Sequence, residues 1–470
     1  MEVGSPEWWL NRLVGKLIER RPSVDRLVAY YDGQHDLRFA SKKFKQHFGG
    51  LFSAFADNWC ALVVDSPEER LKVEGFRISP DTEEADADAW RIWQRNSMDS
   101  QAALTHVDSI LTGESYVSTW FDENGHAEIF AESARNVIVE HDPRSIHKRR
   151  AALRLWEDDW GYTRAEVFLP EGVFLFRRKG PIDSDSLNYG ALAWEVDESA
   201  AEGGFMQNPL KKVPIVPFAN RPRVTATDVL GITVQSEISQ VIPIQDAVNK
   251  LIADLLVAAE TGAYPQKWAT GMQLDIDPET KKVVEPDFSP DRKVWTSEEF
   301  ETRFGQFSAA SLENYVKGID MLVQHIASIT HTPPHYLNAS ADRLSGESIK
   351  AAETGLVAKC RRKMTTFGEG WEEVMRLAGA IEGNPTLAAA IDAETIWRDP
   401  ESRTESVHVD SVLKQKALGI PDPILWEELG YSPSQITRMK AAQVEQSLLA
   451  IPPAPPRNTE PPAVNDGTNT

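Results

Sequence analysis

His331 and His335 stand as H-x-x-x-H, a spacing that on a continuous helix puts two imidazoles on one face as zinc ligands. Pro333 and Pro334 fall between them, and proline fixes φ and removes an N–H donor, so no unbroken helix presents both rings. The glutamate of H-E-x-x-H is also missing, and no metal site is expected. Gly346-Glu347-Ser348-Ile349 resembles part of a nucleophile elbow, but its second glycine is absent and it lies between loop and helix rather than strand and helix. Ser345 reads as a helix cap. No G-x-x-x-x-G-K-[ST] occurs, so no phosphate-cradling loop and no ATPase is expected.

Charge is the other source of chemistry. The chain carries 71 acidic against 50 basic residues, a net charge of −21, which argues against tight nucleic-acid binding but not against a surface that a duplex slides past. Acidic runs such as Glu83-Glu84-Ala85-Asp86 and Glu157-Asp158-Asp159 read as solvated faces rather than paired catalytic acids. The basic clusters Lys42-Lys43-Phe44-Lys45, His147-Lys148-Arg149-Arg150 and Lys359-Cys360-Arg361-Arg362-Lys363 run against the global sign. They read as local salt-bridge partners or, more sharply, as contacts with another subunit or a polyanion. The two cysteines, Cys60 and Cys360, form neither a disulfide framework nor a zinc motif. No catalytic constellation and no cofactor is expected.

The elements that must position these groups are those of an α+β chain. With 470 residues and 41% hydrophobic content, two to four structural units are expected. No signal peptide and no membrane span is read, since no run nears about 20 uninterrupted apolar residues. Apolar spacing of three and four predicts helices from Pro6 to about Leu62 and from Glu83 to Leu111, the second with Trp90, Trp93, Leu104, Val107 and Leu111 inward. The period then changes to two, predicting strands at Ser115–Phe121, His126–Ala131, Val137–Glu140, Ala152–Glu157, Thr163–Leu169 and Val173–Arg178, with an Asn124-Gly125 hairpin signal. The prolines of Val213-Pro-Ile-Val-Pro-Phe predict an edge segment.

A helix is predicted from about Asp228 to Thr261, with Ile244, Val248, Leu251, Leu255 and Ala259 on its packed face and Asp246, Lys250 and Asp254 on a wet one. Gly262 to Phe307 reads as a small strand-rich insertion at the tip of an antiparallel helix pair, whose second member carries Glu313, Lys317 and Asp320 on its polar face. After the proline break a long helix runs from Ser345, about 50 Å if unbroken. Glu394–Asp399 is a strand candidate that could rejoin the first sheet, short helices follow over Val409–Leu418, Pro423–Leu429 and Pro433–Leu449, and the tail from Ile451 is too poor in apolar residues to fold.

In this order of parts the chain resembles the portal proteins of tailed double-stranded DNA bacteriophages, of the long non-contractile-tailed type. The residues that carry the resemblance are Asp228-Val-Leu-Gly, Ser236-Glu237-Ile238, Val241-Ile-Pro-Ile-Gln-Asp246-Ala-Val-Asn249-Lys250, Glu260 and Tyr264-Pro-Gln-Lys-Trp268-Ala-Thr-Gly271. Thr332-Pro-Pro-His335-Tyr-Leu337 and Ser345-Gly-Glu-Ser-Ile-Lys350-Ala-Ala-Glu353 continue it. The resemblance implies a wing over residues 1–227, a first stem helix over 228–262, a clip over 263–307 and a second stem helix over 308–331. A tunnel loop over 332–345, a long helix returning to the wing over 346–405, a helical crown over 406–450 and a disordered tail over 451–470 complete it.

It further implies a dodecameric ring at one capsid vertex of the virion, assembled in the host cytoplasm, through which double-stranded DNA is packaged and ejected. A terminase motor, head-completion (adaptor) proteins and major capsid and scaffolding proteins are its implied partners, and no membrane is involved. Asn338, Ser340, Asp342 and Arg343 would then face DNA, and Asp246, Lys250, Asp254, Glu313, Lys317 and Asp320 would line the channel. A mainly acidic lining repels phosphates and favours transit over retention. The rival readings are another capsid-associated adaptor or scaffold that never touches DNA, and a carboxylate-dependent hydrolase, which lacks a motif joining nucleophile, base and orienting group.

Overall fold

The computed structural model describes residues 2–34, 38–39, 42, 57–79, 85–182, 194–199, 201–224, 232–263, 267–271, 301–306, 311–337, 346–401, 412–429, 431 and 433–449. Helix α1 (Pro6–Tyr31) opens with Ser5 accepting from the Trp8 N–H at 3.3 Å and with Pro6 at its first position. Its first half lays Trp9, Leu10, Leu13, Leu17 and Ile18 on the antiparallel sheet β4 (Val137–Asp142), β5 (Ser145–Glu157), β6 (Tyr162–Phe168), β7 (Gly172–Lys179) and β8 (Glu195–Val196), which runs in that order with Phe205–Gln207 also paired to β7. A three-stranded sheet beside it has the order Ile215–Ala219, β2 (Glu114–Phe121), β3 (Ala127–Glu132). The proline-bearing strand lies at the edge, as proline requires, because its missing N–H then faces no partner strand. The Asn124-Gly125 hairpin forms as expected, with Gly125 at φ +81° and Asp122 Oδ1 accepting the N–H groups of Asn124 and His126 at 2.8 and 2.7 Å.

The main core sits between α2 (Trp59–Glu68), α3 (Ala87–Arg95), α4 (Met98–Thr112), the three-stranded sheet and one long helix, α8 (Gly346–Ile381). At 36 residues α8 is about 54 Å long. It buries Leu356, Cys360, Met364, Phe367, Trp371, Val374 and Ala378, the stripe that three-and-four spacing predicts. Where α8 crosses the edge strand, Gly370 leaves no room for a side chain, because a Cβ there would lie 2.9 Å from the Phe218 ring.

Helices α5 (Ile242–Ala263) and α6 (Glu313–Thr330) run antiparallel. Val248 near the start of α5 clusters with Val323 and Ala327 near the end of α6, while Leu251 meets Gly318 further along. The strands Lys267–Thr270 and Arg303–Gln306 pair at the tip, as the insertion reading expects. Asn384–Ala389 then caps α8 through the turn Pro385–Ala388, and helices at 412–417, Asp422–Glu428 and Pro433–Leu449 close the chain. Among the described residues no helix is long and apolar enough to cross a membrane.

Four expectations are corrected. The helix read from Asp228 starts at Ile242, after a two-residue strand at Ile232–Thr233 that pairs with Arg223–Val224. The strand Glu394–Trp397 does not rejoin the first sheet. It pairs with Val73–Arg77, a strand whose Gly75 and two charges hide its period-two signal. Leu104 is 59% exposed, since α4 turns Ala102, Thr105, His106 and Ser109 inward and so buries small and polar groups instead. The face of α5 that packs is also shifted, carrying Gln245, Asp246 and Asn249 into the interior.

Candidate functional site

Asp246 is 4% exposed and accepts a hydrogen bond from the Tyr30 hydroxyl at 2.7 Å, so it is not on a wet, channel-facing stripe. Its neighbours on the same face are structural too. Gln245 Oε1 accepts from the Trp59 N–H at 2.9 Å and its amide donates to the Asp57 carbonyl, while Asn249 Oδ1 accepts from the Asp57 N–H at 3.1 Å. Gln245 and Asn249 thus hold the start of α2, whose own cap is Asn58, against α5. Burial and the bond to Asp246 push the Tyr30 hydroxyl up to about 12, and burial likewise pushes the Cys60 thiol up to about 12. Replacing Tyr30 by Phe leaves a buried carboxylate oxygen without its donor, and stability is expected to fall by about 1–3 kcal/mol in a urea titration. An unchanged midpoint would show that the Tyr30 bond contributes nothing.

The other stripe residues stay accessible. Lys250 and Asp254 form an ion pair one turn apart on α5 with side chains 23% and 30% exposed. Glu313 and Lys317 pair at 2.7 Å on α6, both about 70% exposed, and Asp320 is exposed on the same helix. Asn338, Ser340, Asp342, Arg343 and Ser345 lie outside the described residues.

The histidine pair is separated in the way its prolines dictate. His331 ends α6 in the left-handed region at φ +55°, whereas His335 sits on the short turn Pro334–Leu337 with Nε2 3.7 Å from Glu353 Oε1. Glu353 also pairs with Arg70 at 3.1 Å, and Arg70 donates to the Tyr336 hydroxyl at 2.7 Å. This clasp ties α8 to the end of α2 and to the turn after α6. Among the described residues no group of three or more His, Cys, Asp or Glu could hold a metal ion.

A further buried polar constellation is one that sequence reasoning did not assemble. Lys359 and Lys363, one turn apart on α8, bring both ammonium groups to Glu237, at 3.0 Å to Oε2 and 2.7 Å to Oε1. Glu237 is 4% exposed and Lys363 5%. Backbone bonds hold Glu237 in place: its N–H donates to the Ile110 carbonyl at 3.0 Å, and Gln235 N–H to Asn220 O at 3.2 Å. Gly113 ends α4 at φ +101°, where a Cβ would stand 3.2 Å from the Ser236 nitrogen, so only glycine lets the 235–237 backbone lie this close. Lys363 further donates to Asn220 Oδ1, and Lys359 to the Thr330 carbonyl at the C-terminus of α6 at 3.2 Å.

Burial opposes ionisation of Glu237, but the Lys359 and Lys363 charges overrule it and hold the carboxyl down at about 2. Burial and the repulsion of Lys359 lower Lys363 to about 8 against the pull of Glu237. The only sequence signal was the one-turn spacing of the two lysines; nothing in it pointed to a carboxylate over a hundred residues away. The cluster His147–Arg150 resolves similarly, with Arg149 8% exposed and paired to Glu373 at 2.6 Å, and Arg150 over the Trp9 ring at 5.3 Å.

Buried ion pairs tie the long α8 to the loop before α5, to the segment after α2 and to β5, and accessible charges lie along the α5–α6 pair. Residues 10–446 match the family model described as "Phage portal protein, SPP1 Gp6-like". The chain is similar to the portal protein of Mycobacterium phage D29, 31% identical over 96% of this chain and 91% of that protein, and to the portal protein of Mycobacterium phage L5, 30% identical over 83% and 79% respectively. It also aligns with a chain from the neck of a native GTA particle computed with C12 symmetry, at 12% identity over 76% of this chain and 81% of that one, with a TM-score of 0.37, too slight a likeness to argue from. The chain belongs to the phage portal protein family.

Proposed function

We propose that this chain is the subunit of a homo-oligomeric, dodecameric ring that stands at one capsid vertex of a virion and joins head to tail. Double-stranded DNA passes through the ring during packaging and ejection. One observation carries the ring: α6 exposes Val316, Met321 and Ile329, and Leu312 just before it, at 38 to 50% each, beside its exposed Glu313, Lys317 and Asp320. Large apolar side chains left wet around a helix of the single chain are expected to be covered by another copy, with the Glu313, Lys317 and Asp320 stripe left to the channel.

On this reading α5 and α6 are the stem, the strand pair at their tip belongs to the clip, the sheets and the body of α8 form the wing, and the helices after position 411 form the crown. Lys250, Asp254, Glu313, Lys317 and Asp320 face the channel, and Asp246 does not. The loop with Asn338, Ser340, Asp342 and Arg343 faces DNA. The terminase motor, head-completion proteins and the capsid and scaffolding proteins dock on the outside of the ring.

Negative-stain microscopy of the purified chain tests the ring, with rings whose central hole admits a duplex expected; monomers or filaments would overturn it. The Arg343→Glu variant is expected to form the same rings and to lower the yield of DNA-filled particles. Normal particle yield from that variant removes Arg343 from the DNA-facing set.

A further inference from the structure

The Glu237 constellation opens into a cavity of about 340 Å³ between the C-terminus of α6, the turn after the edge strand and the face of α8 from Gly355 to Phe367. Four basic side chains line it, Arg221, Lys359, Arg362 and Lys363, and Glu237 is the one carboxylate among the lining residues, a surplus of three positive charges when all four are protonated, in a chain of net charge −21. Both oxygens of Glu237 are taken from within, Oε1 by Lys363 and Oε2 by Lys359, with Arg221 at 3.7 Å. The Arg362 guanidinium is exposed and has no ion-pair partner among the described residues, and the Arg221 side chain is 40% exposed.

Two non-glycine residues at this cavity, Arg221 at φ +48° and His331 at φ +55°, hold the left-handed conformation, which costs about 1 kcal/mol or more each and is kept where surrounding packing enforces it. Gly355 faces His331 at the distance where a Cβ would crowd it, 3.3 Å, and so leaves the cavity its depth. Lys363, 95% buried, is a charged wall already desolvated before any ligand arrives.

We propose that this cavity is a binding site for one phosphate group, with Arg221 and Arg362 as the outer donors and Lys359 and Lys363 as the inner ones. Arginine forks match the tetrahedral oxygens of a phosphate, and the two arginines are the more accessible of the four basic residues, so an incoming anion meets them first. Glu237 neutralises part of the field, so the hold on the anion is weak and reversible. The phosphate can come from a phosphodiester of duplex DNA or from free phosphate. The first source rests on the ring reading above, in which Gly355 lies about 14 Å along α8 from its start beside the DNA-facing loop, the span of about four phosphates on one strand.

The test uses the full chain and the R221A/R362A double variant, whose side chains are exposed enough to leave the fold intact, as circular dichroism verifies. Binding of inorganic phosphate is followed by phosphorus NMR line width, and binding of a fluorescent short duplex by anisotropy at low salt. A loss of about tenfold or more in affinity is expected for the variant. Loss for the duplex, with inorganic phosphate competing, supports the phosphodiester source; loss for inorganic phosphate alone supports free phosphate. Equal binding by the two proteins, or binding of neither ligand by the native chain, overturns the site. Because imaging reads ring assembly separately, rings without phosphate binding refute only the site, and phosphate binding without rings refutes only the ring.

Discussion

Glu237→Gln is expected to be among the most damaging single substitutions in this chain. The variant keeps the shape of the side chain but leaves Lys359 and Lys363 facing each other without their counter-charge, in a place where Lys363 is 5% exposed. Removing one member of a buried pair typically costs about 3–5 kcal/mol, because the remaining charge stays desolvated. The urea midpoint should therefore fall sharply. Adding Lys363→Met should recover part of the loss, since replacing both partners with groups of similar volume removes the orphaned charge as well. A double variant as unstable as the single one would mean that Lys363 carries no unpaired charge after the first change. The same pair sets an acid limit: the folded Glu237 titrates near 2 rather than its ordinary 4.5, so its contribution is fully present above 4.5 and is lost as pH falls towards 2.

Trp371→Ala is expected to cost a similar amount for a different reason. Trp371 is fully buried on α8, packed edge-on against Trp93 at 5.0 Å between ring centres and against Phe218 at 4.5 Å. Its removal leaves a cavity, and large aromatic to alanine changes in cores cost about 3–5 kcal/mol. It also strips a hydrogen bond from His106, whose Nε2 accepts from the indole N–H at 3.0 Å. Since the indole only donates, His106 must be neutral with its proton on Nδ1. Full burial holds that imidazole down at about 3 against an ordinary 6.5.

The sign follows from linkage. Between 6.5 and 3 the unfolded chain takes up a proton that folded His106 refuses, so stability falls as pH drops through this window, and below 4.5 the loss of the Glu237 contribution adds to it. His106→Gln should flatten the upper part of that acid slope, measured as urea midpoints between pH 7 and 5. A slope unchanged in the variant would assign the acid sensitivity elsewhere.

These two sites explain what was legible in the residues and what was not. Period and punctuation were strong local signals: the strands from Glu114 to Lys179, the edge strand that carries Pro217, the proline stop after Thr330 and the apolar stripe of α8 all follow from neighbours within a few positions. The resemblance of Thr332-Pro-Pro-His335-Tyr-Leu337 and its companions also carried the family. The readings of Asp246, Leu104 and Glu394–Asp399 failed together for one reason. Each assigned a face or a partner from local period, and a buried carboxylate, an exposed leucine and a strand pair 320 positions apart are chosen by what packs against them.

By itself, then, the sequence determined the kinds of element, their order, the α+β class and the family, because these depend on spacing along the chain. The tertiary structure alone decided that Tyr30 takes Asp246 into the interior, and that Glu237 meets two lysines more than a hundred residues away. It also gathered Arg221 and Arg362 at one cavity. A charge costs too much to bury alone, so its partner must arrive in space, and no period in the chain records which distant residue that will be.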